Sequence, residues 1–291
     1  MAASNMKAVK LRMRSIESTM QITRAMQLVA ASKLRKAKER ADATRPTFKV
    51  LHDTLVDIAV GNTDFASPYT ETNANEKWLY VVIAGDRGMA GGYNANVFRK
   101  MAELTSGKEY DVLPLGKKAV EYYRRREVNI VTEAFAEVAS INMGDCLSIA
   151  DIICEAYKKG EYGHIAVCYT SFISMLTQRP AFSALLPLSD FWKEVQEAEE
   201  RAKETVRNLI LYEPSSVEVF NAIVPQYLAA LVYTAKNESI ASELAARRTA
   251  MDAATKNAGE MLDNLSLYYN RARQASITQE ITEIVAGAEG T

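Results

Sequence analysis

The chain has 291 residues, enough for one or two domains with a sizeable hydrophobic core. Its net charge of −1 argues against a generally basic nucleic-acid-binding protein, and its two histidines argue against a histidine metal site. The three cysteines are scattered without CxxC spacing, which argues against a disulfide framework and indicates a reducing compartment.

The two ends of the chain carry opposite charge. The first 50 residues hold twelve basic and three acidic side chains, whereas the last 55 hold five basic and eight acidic ones. A basic arm of this kind could meet nucleic acid, a membrane surface or an acidic protein. No apolar run approaches the roughly 20 residues of a membrane span, and the N-terminus lacks the apolar core of a signal peptide. We therefore expect a soluble chain, or one held at a membrane by partners.

Residues 1–60 predict a long helix with a coiled-coil seam. Eight of ten positions at alternating spacings of four and three residues are apolar, which is the heptad pattern. These positions are Val9, Met13, Ile16, Met20, Thr23, Gln27, Ala30, Leu34, Ala37 and Ala41. A shorter stripe beside the seam could face another partner, and it consists of Ile22, Met26 and Val29. Pro46 is expected to kink or end the helix.

Residues 76–190 predict an α/β domain. Apolar runs predict strands at 78–85, 110–116, 128–135 and 164–172. Helical patterns lie between them at 91–104, 117–127 and 144–160. This alternation is typical of a largely parallel, Rossmann-like sheet. Residues 180–188 are expected to pair antiparallel with 164–172, and 190–208 to form a charged, flexible or helical connection.

Residues 210–291 predict a second long helix. From Ile240 onward, ten of thirteen heptad positions are apolar, and a helix of roughly 60 residues would be about 90 Å long. Antiparallel pairing of the two terminal helices closes the topology most simply. The predicted fold is therefore α/β, with a long antiparallel two-helix coiled coil formed by the chain termini and an inserted Rossmann-like domain. Alanines would allow close approach in a plausible register, with Ala30 and Ala31 opposite Ala254 and Ala258.

Candidate chemistry in the chain is sparse. The segment AGDRGMAGGYNAN (84–96) follows a strand and opens a helix, where phosphate-binding loops lie, but it matches neither GxGxxG nor a P-loop. A structural turn, with Asp86 and Arg87 as a local ion pair or cap, is the favoured interpretation. Neither His52 nor His164 has a nucleophile motif beside it, so no catalytic residues are predicted. The basic run SKLRKAKER (32–40) lacks interleaved aromatic residues, which favours a solvated face or an acidic partner.

Four stretches resemble a known family. MQITRAMQLVAASKLRKAK (20–38) and LYYNRARQASITQEITEIVAGA (267–288) resemble the N- and C-terminal signatures of the gamma subunit of F-type ATP synthase. DRGMAGGYNANVFR (86–99) is similar to the family's DRGLCGGFNxN turn, and LYEP (211–214) to another landmark. The resemblance covers essentially the whole chain in the expected order.

The resemblance implies a non-catalytic rotor shaft without cofactor or metal. Its coiled coil would lie inside the alpha3-beta3 hexamer, and its α/β domain would rest on the membrane ring of c subunits beside the epsilon subunit, with one copy per complex. Proton-driven rotation of the ring would then cycle the three catalytic beta subunits through their states. The location implied is peripheral, on the cytoplasmic face of a bacterial plasma membrane. A transit peptide is missing, which is expected of a bacterial source or of a mature organellar chain, and the bacterial source is preferred. The cysteine insertion of chloroplast members is absent, so thiol switching by that device is not expected.

The resemblance also assigns partner contacts to particular residues. Arg273 and Gln274 would contact an acidic loop of a beta subunit, and Ile284 and Val285 would sit in an apolar bearing. The residues expected close to the beta lever region are Arg24, Met26 and Lys33. The residues expected to face the membrane rotor ring are Tyr212 and Glu213.

Two other functions stay open from the residues alone. A nucleotide-binding α/β enzyme with a coiled-coil arm would bind ATP through 84–96. A coiled-coil adaptor with a basic arm for DNA or membranes would bind polyanions with strong salt dependence.

Overall fold

The computed structural model describes residues 2–60, 65–188, 195 and 212–289. Its elements in chain order are α1 (Ala2–Ala59), β1 (Trp78–Ile83), α2 (Tyr93–Leu104), β2 (Tyr110–Leu115), α3 (Lys117–Arg124), α4 (Met143–Lys158), β3 (His164–Phe172), β4 (Gln178–Leu186) and α5 (Ser216–Glu289). Two compact units result, a helical unit of Met1–Ser32 with Arg247–Thr291 and an α/β unit of Lys33–Ala246. The predicted connection at 190–208 lies outside the described residues, apart from Val195.

The α/β unit is built on a four-stranded sheet in the order β2-β1-β3-β4. β1 pairs in parallel with β2 and β3, and β4 pairs antiparallel with β3. The predicted Rossmann-like fold class with long terminal helices is confirmed, including the antiparallel partner of 164–172. Alternate β1 side chains enter two different cores, because successive residues of a strand point to opposite faces.

Helices cover both faces of the sheet. On one face, Leu79 and Val81 pack with α4, with the end of α1 and with the first turns of α5. On the other face, Tyr80 and Val82 pack with α2 and α3. The first turns of α5 and the end of α1 are therefore part of the core of the α/β unit.

The predicted strand at 128–135 is wrong. Only Ile130 pairs, through an isolated bridge to Val112 of β2. The chain leaves the sheet at once, because the Thr132 hydroxyl accepts a hydrogen bond from the Ala134 amide at 3.2 Å and turns the backbone.

The helical unit is an antiparallel pair. The hydroxyls of Thr23 and Thr255 are 2.8 Å apart, and Gln27 Nε2 donates to Asp252 Oδ1 at 2.7 Å. This register places Ala30 opposite residues near 248. The pairing of Ala30 with Ala254 and Ala258 was therefore wrong by more than one helical turn, since small residues occur too often to fix a register.

The seam of α1 follows the predicted heptad. Every predicted position from Val9 to Ala37 is buried or half-buried. In the C-terminal half of α5, every second predicted position is one residue off: Leu262 and Tyr269 face the seam, whereas Met261 and Tyr268 are exposed. Adjacent apolar residues made the phase ambiguous there.

Two single features of the long helices also differ from expectation. Pro46 lies inside α1 without ending it. By length and composition alone, α5 could cross a membrane, contrary to the sequence expectation. Core helices of soluble proteins share this length and composition, and Phe220, Val224 and Leu228 of α5 are fully buried in the α/β unit.

Candidate functional site

The end of α5 carries an exposed apolar stripe. From Ile277 onward, every residue of α5 whose exposure is described is exposed, and Ile284 reaches 71%. The stripe lies on one helix face at spacings of four and three residues, and it consists of Ile277, Ile281, Ile284 and Val285. In the observed register, residue 2 of α1 lies opposite 276, so α1 as described does not cover the stripe. Exposed apolar patches of this kind mark interaction sites.

A second exposed apolar surface lies on α1 within the helical unit. Ile22, Leu28 and Val29 are exposed, Leu28 at 66%, and the predicted contact residue Met26 is half-buried. Arg24 is exposed beside them. Sequence analysis had missed Leu28, although it lies one turn beyond Arg24 and is as apolar as the stripe residues.

Arg273 and Gln274 are both exposed on α5, between the half-buried seam residues Ala272 and Ser276. Arg24 pairs in register with residues near 254, so it lies about 28 Å along the helix from Arg273. The predicted contact residues of the helical unit therefore form separate surfaces.

The other predicted contact residues belong to the α/β unit. Lys33 is exposed on α1. Tyr212 is half-buried, because its ring packs on the largest core cluster, whereas Glu213 next to it is exposed. The core therefore anchors Tyr212 and leaves Glu213 accessible.

The place where a Rossmann-like sheet usually binds ligands is filled by the chain itself. Ligands bind such sheets at the carboxyl ends of the strands where the strand order reverses, here between β1 and β3. α5 lies across this crevice. A Cβ added to Gly85, at the end of β1, would come within 2.8 Å of Glu243 Oε1. The Thr170 amide of β3 donates to Ser239 Oγ, and the Ser242 hydroxyl donates to Thr170 O, both at 3.1 Å.

Asp86 in the 84–96 segment has a structural role. Its carboxylate accepts hydrogen bonds from the backbone amides of Lys117 at 3.2 Å, Val138 at 2.9 Å and Ala139 at 3.1 Å. The Gly85 amide donates to Asn94 Oδ1 at 2.8 Å. Backbone amides are the groups that hold phosphate in a nucleotide-binding loop. In this segment the Gly85 amide is occupied by the Asn94 side chain, and the Asp86 carboxylate places a negative charge in the turn. The segment is a structural turn, as predicted, but Asp86 caps backbone amides of the distant residues Lys117, Val138 and Ala139 rather than forming a local pair or cap with Arg87.

A buried lysine lies next to this crevice. Lys236 is 5% exposed, and its ammonium donates to Ile141 O at 2.9 Å and lies 4.4 Å from the centre of the Tyr233 ring. Burial lowers the pKa of Lys236. Sequence analysis did not single out Lys236, Ser239 or Ser242, because the sequence does not show which face of a long helix meets the sheet.

The described ranges hold no group of three or more His, Cys, Asp or Glu side chains that could bind a metal ion. The three cysteines are free and buried. Burial raises the pKa of the Cys146 and Cys168 thiols to about 12 and that of Cys154 to about 11. All three are therefore neutral thiols near pH 7, and a neutral thiol is a poor nucleophile.

Comparison with known proteins gives consistent matches along the chain. The family model described as ATP synthase matches residues 5–290. The ATP synthase gamma chain of Ruminococcus albus is 45% identical over 287 residues, which cover 97% of this chain and 96% of that one. The sodium ion specific ATP synthase gamma chain of Acetobacterium woodii is 38% identical over 298 residues and covers 99% of both chains.

Solved structures share the fold. A chain of the Euglena gracilis mitochondrial ATP synthase, determined with OSCP, F1 and c-ring in rotational state 3, superposes with a TM-score of 0.65 at 16% identity. The match covers 99% of this chain and 95% of that chain. A chain from the rotor of the same enzyme in rotational state 1 gives a TM-score of 0.62 at 17% identity, covering 94% and 99%.

Proposed function

Because the chain belongs to the ATP synthase gamma-chain family, we propose that it is the central rotor shaft of an F-type ATP synthase. A gamma chain is a non-catalytic subunit of that complex. The observation that carries the proposal is the 45% identity to a gamma chain over nearly the full length of both proteins.

The shaft couples ion flow to catalysis by rotation. Proton flow turns the membrane ring and the shaft together inside a hexamer of three alpha and three beta subunits. An asymmetric shaft contacts the three beta subunits differently at each angle. Contact energy that differs between otherwise equal sites shifts their affinities for ADP, phosphate and ATP.

The upper contacts of the shaft lie on the helical unit. Ile284 and Val285 sit in an apolar bearing formed by the hexamer, and their exposure on α5 supports this placement. Arg273 and Gln274 bind an acidic loop of a beta subunit, for which an exposed guanidinium and amide are suitable donors. Met26 lies near the beta lever region.

Two basic residues of α1, Arg24 and Lys33, also approach the beta lever region. Each is exposed in its own unit. The guanidinium of Arg24 can bind a carboxylate with two hydrogen bonds, whereas Lys33 carries a flexible point charge that favours acidic surfaces without demanding one fixed geometry. That property suits a contact that has to be broken and remade at every step of rotation.

The α/β domain, residues 76–190, forms the foot of the rotor, and residues 1–60 and 210–291 form the shaft. Tyr212 and Glu213 face the c-ring, and the exposed Glu213 is available to its polar loops. The epsilon subunit binds beside the foot, and one copy of the chain serves each complex. The complex places the chain at the cytoplasmic face of a bacterial membrane as a peripheral subunit. A chain of the same fold belongs to an assembly of OSCP, F1 and c-ring from the Euglena gracilis mitochondrial ATP synthase, which supports F1 and the c-ring as partners.

Sodium is a second candidate for the coupling ion. The relative from Acetobacterium woodii is named as sodium ion specific. Ion transport by vesicles that contain the complex distinguishes the two ions. Acidification of the lumen that does not depend on sodium supports protons, and uptake of labelled sodium driven by ATP supports sodium.

Two variants of the assembled complex test the upper contacts. Removing residues 277–291 is expected to weaken coupling or assembly while the α/β unit stays folded. Arg273→Ala with Gln274→Ala is expected to reduce ATP turnover without changing ATP binding to the beta subunits. Lys256→Ala with Asn257→Ala, an exposed cation and amide on the same helix, is the matched control. Normal coupled synthesis in the truncation, or unchanged turnover in the double variant, would contradict the assigned contacts.

A further inference from the structure

The polar face that α5 turns toward the sheet differs from the rest of its buried surface. Lys236, Ser239 and Ser242 are spaced three residues apart and lie on one face of the helix. All three are buried, Ser242 completely. Buried polar groups are costly unless they are hydrogen-bonded, and each of these side chains has a partner in the α/β domain.

Two of these residues bond to both backbone groups of a single strand residue. The amide of Thr170 donates to Ser239 Oγ, and the carbonyl of Thr170 accepts from the Ser242 hydroxyl. A single residue near the end of β3 is thus clamped between two successive turns of α5. Rotation or sliding of α5 by one residue would break both bonds, because both the distance and the angle of a hydrogen bond are restricted.

The third residue fixes a different part of the domain. Lys236 Nζ donates to the carbonyl of Ile141, which directly precedes the capping box of α4 at Asn142 and Asp145. Lys236 therefore ties α5 to the start of a helix that packs on the sheet. The bonds to Ile141 and Thr170 give α5 two attachment points on separate elements of the domain.

The remaining contacts of α5 with the sheet are of another kind. Phe220, Val224 and Leu228 pack in the main apolar core. Apolar contacts are non-directional, so they restrict rotation of the helix less sharply than hydrogen bonds do. Near the start of α5, Asn221 Oδ1 also accepts a hydrogen bond from the Ser67 hydroxyl at 2.7 Å. The hydrogen bonds of Lys236, Ser239 and Ser242 lie about two to four turns beyond Leu228 on the same helix.

We infer that Lys236, Ser239 and Ser242 are positioning residues that lock the rotational register of α5 against the α/β domain, so that torque passes between foot and shaft without slip. This inference rests on the proposed shaft function. The crevice that binds ligands in related folds is used here as a mechanical joint. Its occupants are side chains of the chain's own shaft helix.

The test uses the complete ATP synthase in vesicles, with Ser239→Ala plus Ser242→Ala in this chain. Hydrogen exchange of the Thr170 amide reports loss of the clamp directly. ATP hydrolysis and ion transport are then measured together while the opposing ion gradient is raised. Each lost hydrogen bond shifts an equilibrium by about fivefold toward the unlocked register. The variant is therefore expected to transport fewer ions per ATP than wild type under load, with hydrolysis close to wild type.

Two further variants keep this test decisive. Ser148→Ala removes an exposed hydroxyl of α4 that bonds to its own helix, and it is expected to leave the transport ratio unchanged. Lys236→Met removes the other attachment at similar side-chain length and is expected to lower the ratio as well. Faster exchange at Thr170 with a wild-type ratio under load would overturn the inference. Transport by the wild-type complex reports on the proposed shaft function, and the difference between variant and wild type reports on the joint.

Discussion

The two units of the chain bury their apolar side chains to very different extents. In the α/β unit, five of the six β1 residues are buried and both faces of the sheet are covered. In the helical unit, a narrow seam around Thr23, Ala30 and Met251 is buried, while Ile22, Leu28 and the stripe at 277–285 are exposed. The α/β unit can stabilise itself, whereas the helical unit leaves apolar surface that only a partner can cover.

This difference follows from geometry. A two-helix seam uses about two of every seven residues, so any further apolar stripe on the same helices stays outside. A sheet between helices buries both of its faces. Substitutions in the α/β unit should therefore act on the stability of the purified chain, and substitutions on the exposed stripes should act on assembly.

The largest expected effect is that of Gly116→Ala in the α/β unit. Gly116 has a φ of +100°, and a Cβ there would lie 2.1 Å from the carbonyl oxygen of Ala84. Both the backbone strain and the clash have to be relieved by movement of the strand ends, so we expect a loss of about 4 kcal/mol in the free energy of unfolding. Chemical denaturation of the purified chain measures it.

Gly88→Ala is the matched control in the neighbouring turn. A Cβ at Gly88 meets nothing within 4 Å, so this change should stay within about 0.5 kcal/mol of wild type. Equal effects of the two substitutions would contradict the account of the strand ends.

The next effect is that of Asp111→Asn. The buried carboxylate accepts from Lys77 Nζ at 2.9 Å, Tyr162 OH at 2.7 Å and Asn129 Nδ2 at 2.8 Å. Burial would raise its pKa, but these hydrogen bonds outweigh burial, and the pKa of Asp111 is lowered. Loss of the charge should cost about 2 kcal/mol at pH 7, since Lys77 stays partly solvated.

The pH dependence of this effect has a definite sign. Because the folded-state pKa of Asp111 is lowered, the carboxylate stabilises the fold above its unfolded value of about 4, and this contribution is lost as pH falls through the folded value. The gap between wild type and Asp111→Asn should therefore narrow on acidification. Glu109→Gln, an exposed carboxylate 3.9 Å from Lys77, should change stability by less than about 0.5 kcal/mol. A stability difference between wild type and Asp111→Asn that widens in acid would contradict the lowered pKa of Asp111.

A smaller effect is expected inside the helical unit. Thr23→Val removes the hydroxyl that meets Thr255 while keeping the shape of the side chain, and should cost about 1 kcal/mol. Thr19→Val serves as the control, because the exposed Thr19 hydroxyl bonds only to the Ser15 carbonyl of its own helix. Hydrogen exchange of the α1 amides distinguishes the effects of the two substitutions. Equal protection in both variants would argue against the observed register.

The smallest effect on the chain itself is expected from Ile277→Asp with Ile284→Asp. Both side chains are exposed already, so stability should change by less than about 0.5 kcal/mol. Binding of the chain to an alpha3-beta3 hexamer should nevertheless weaken strongly, because two charges would enter an apolar bearing. Thr282→Asp changes another face of the same helix, so this variant should bind the hexamer better than the double variant does. Equal binding by wild type, the double variant and Thr282→Asp would contradict the apolar bearing.

The sequence predicted those features that depend on local periodicity. The α1 seam was correct where polar and charged residues separate its apolar positions, as between Met13, Ile16 and Met20. In α5, Met261 and Leu262 stand side by side and left the phase open. The strand at 128–135 failed because one hydroxyl, at Thr132, turns a β-prone run out of the sheet. The clamp on Thr170 was not predictable, since whether a helical serine faces water or a strand end is decided by tertiary packing.

The most direct test of the shaft function is native mass spectrometry of the complex purified gently through a tag on this chain, with ATPase activity measured on the same sample. The account predicts one copy of this chain with three copies each of two larger subunits, and activity in that fraction. A monomer or homodimer that binds ATP on its own would contradict it and return attention to the turn at 84–96.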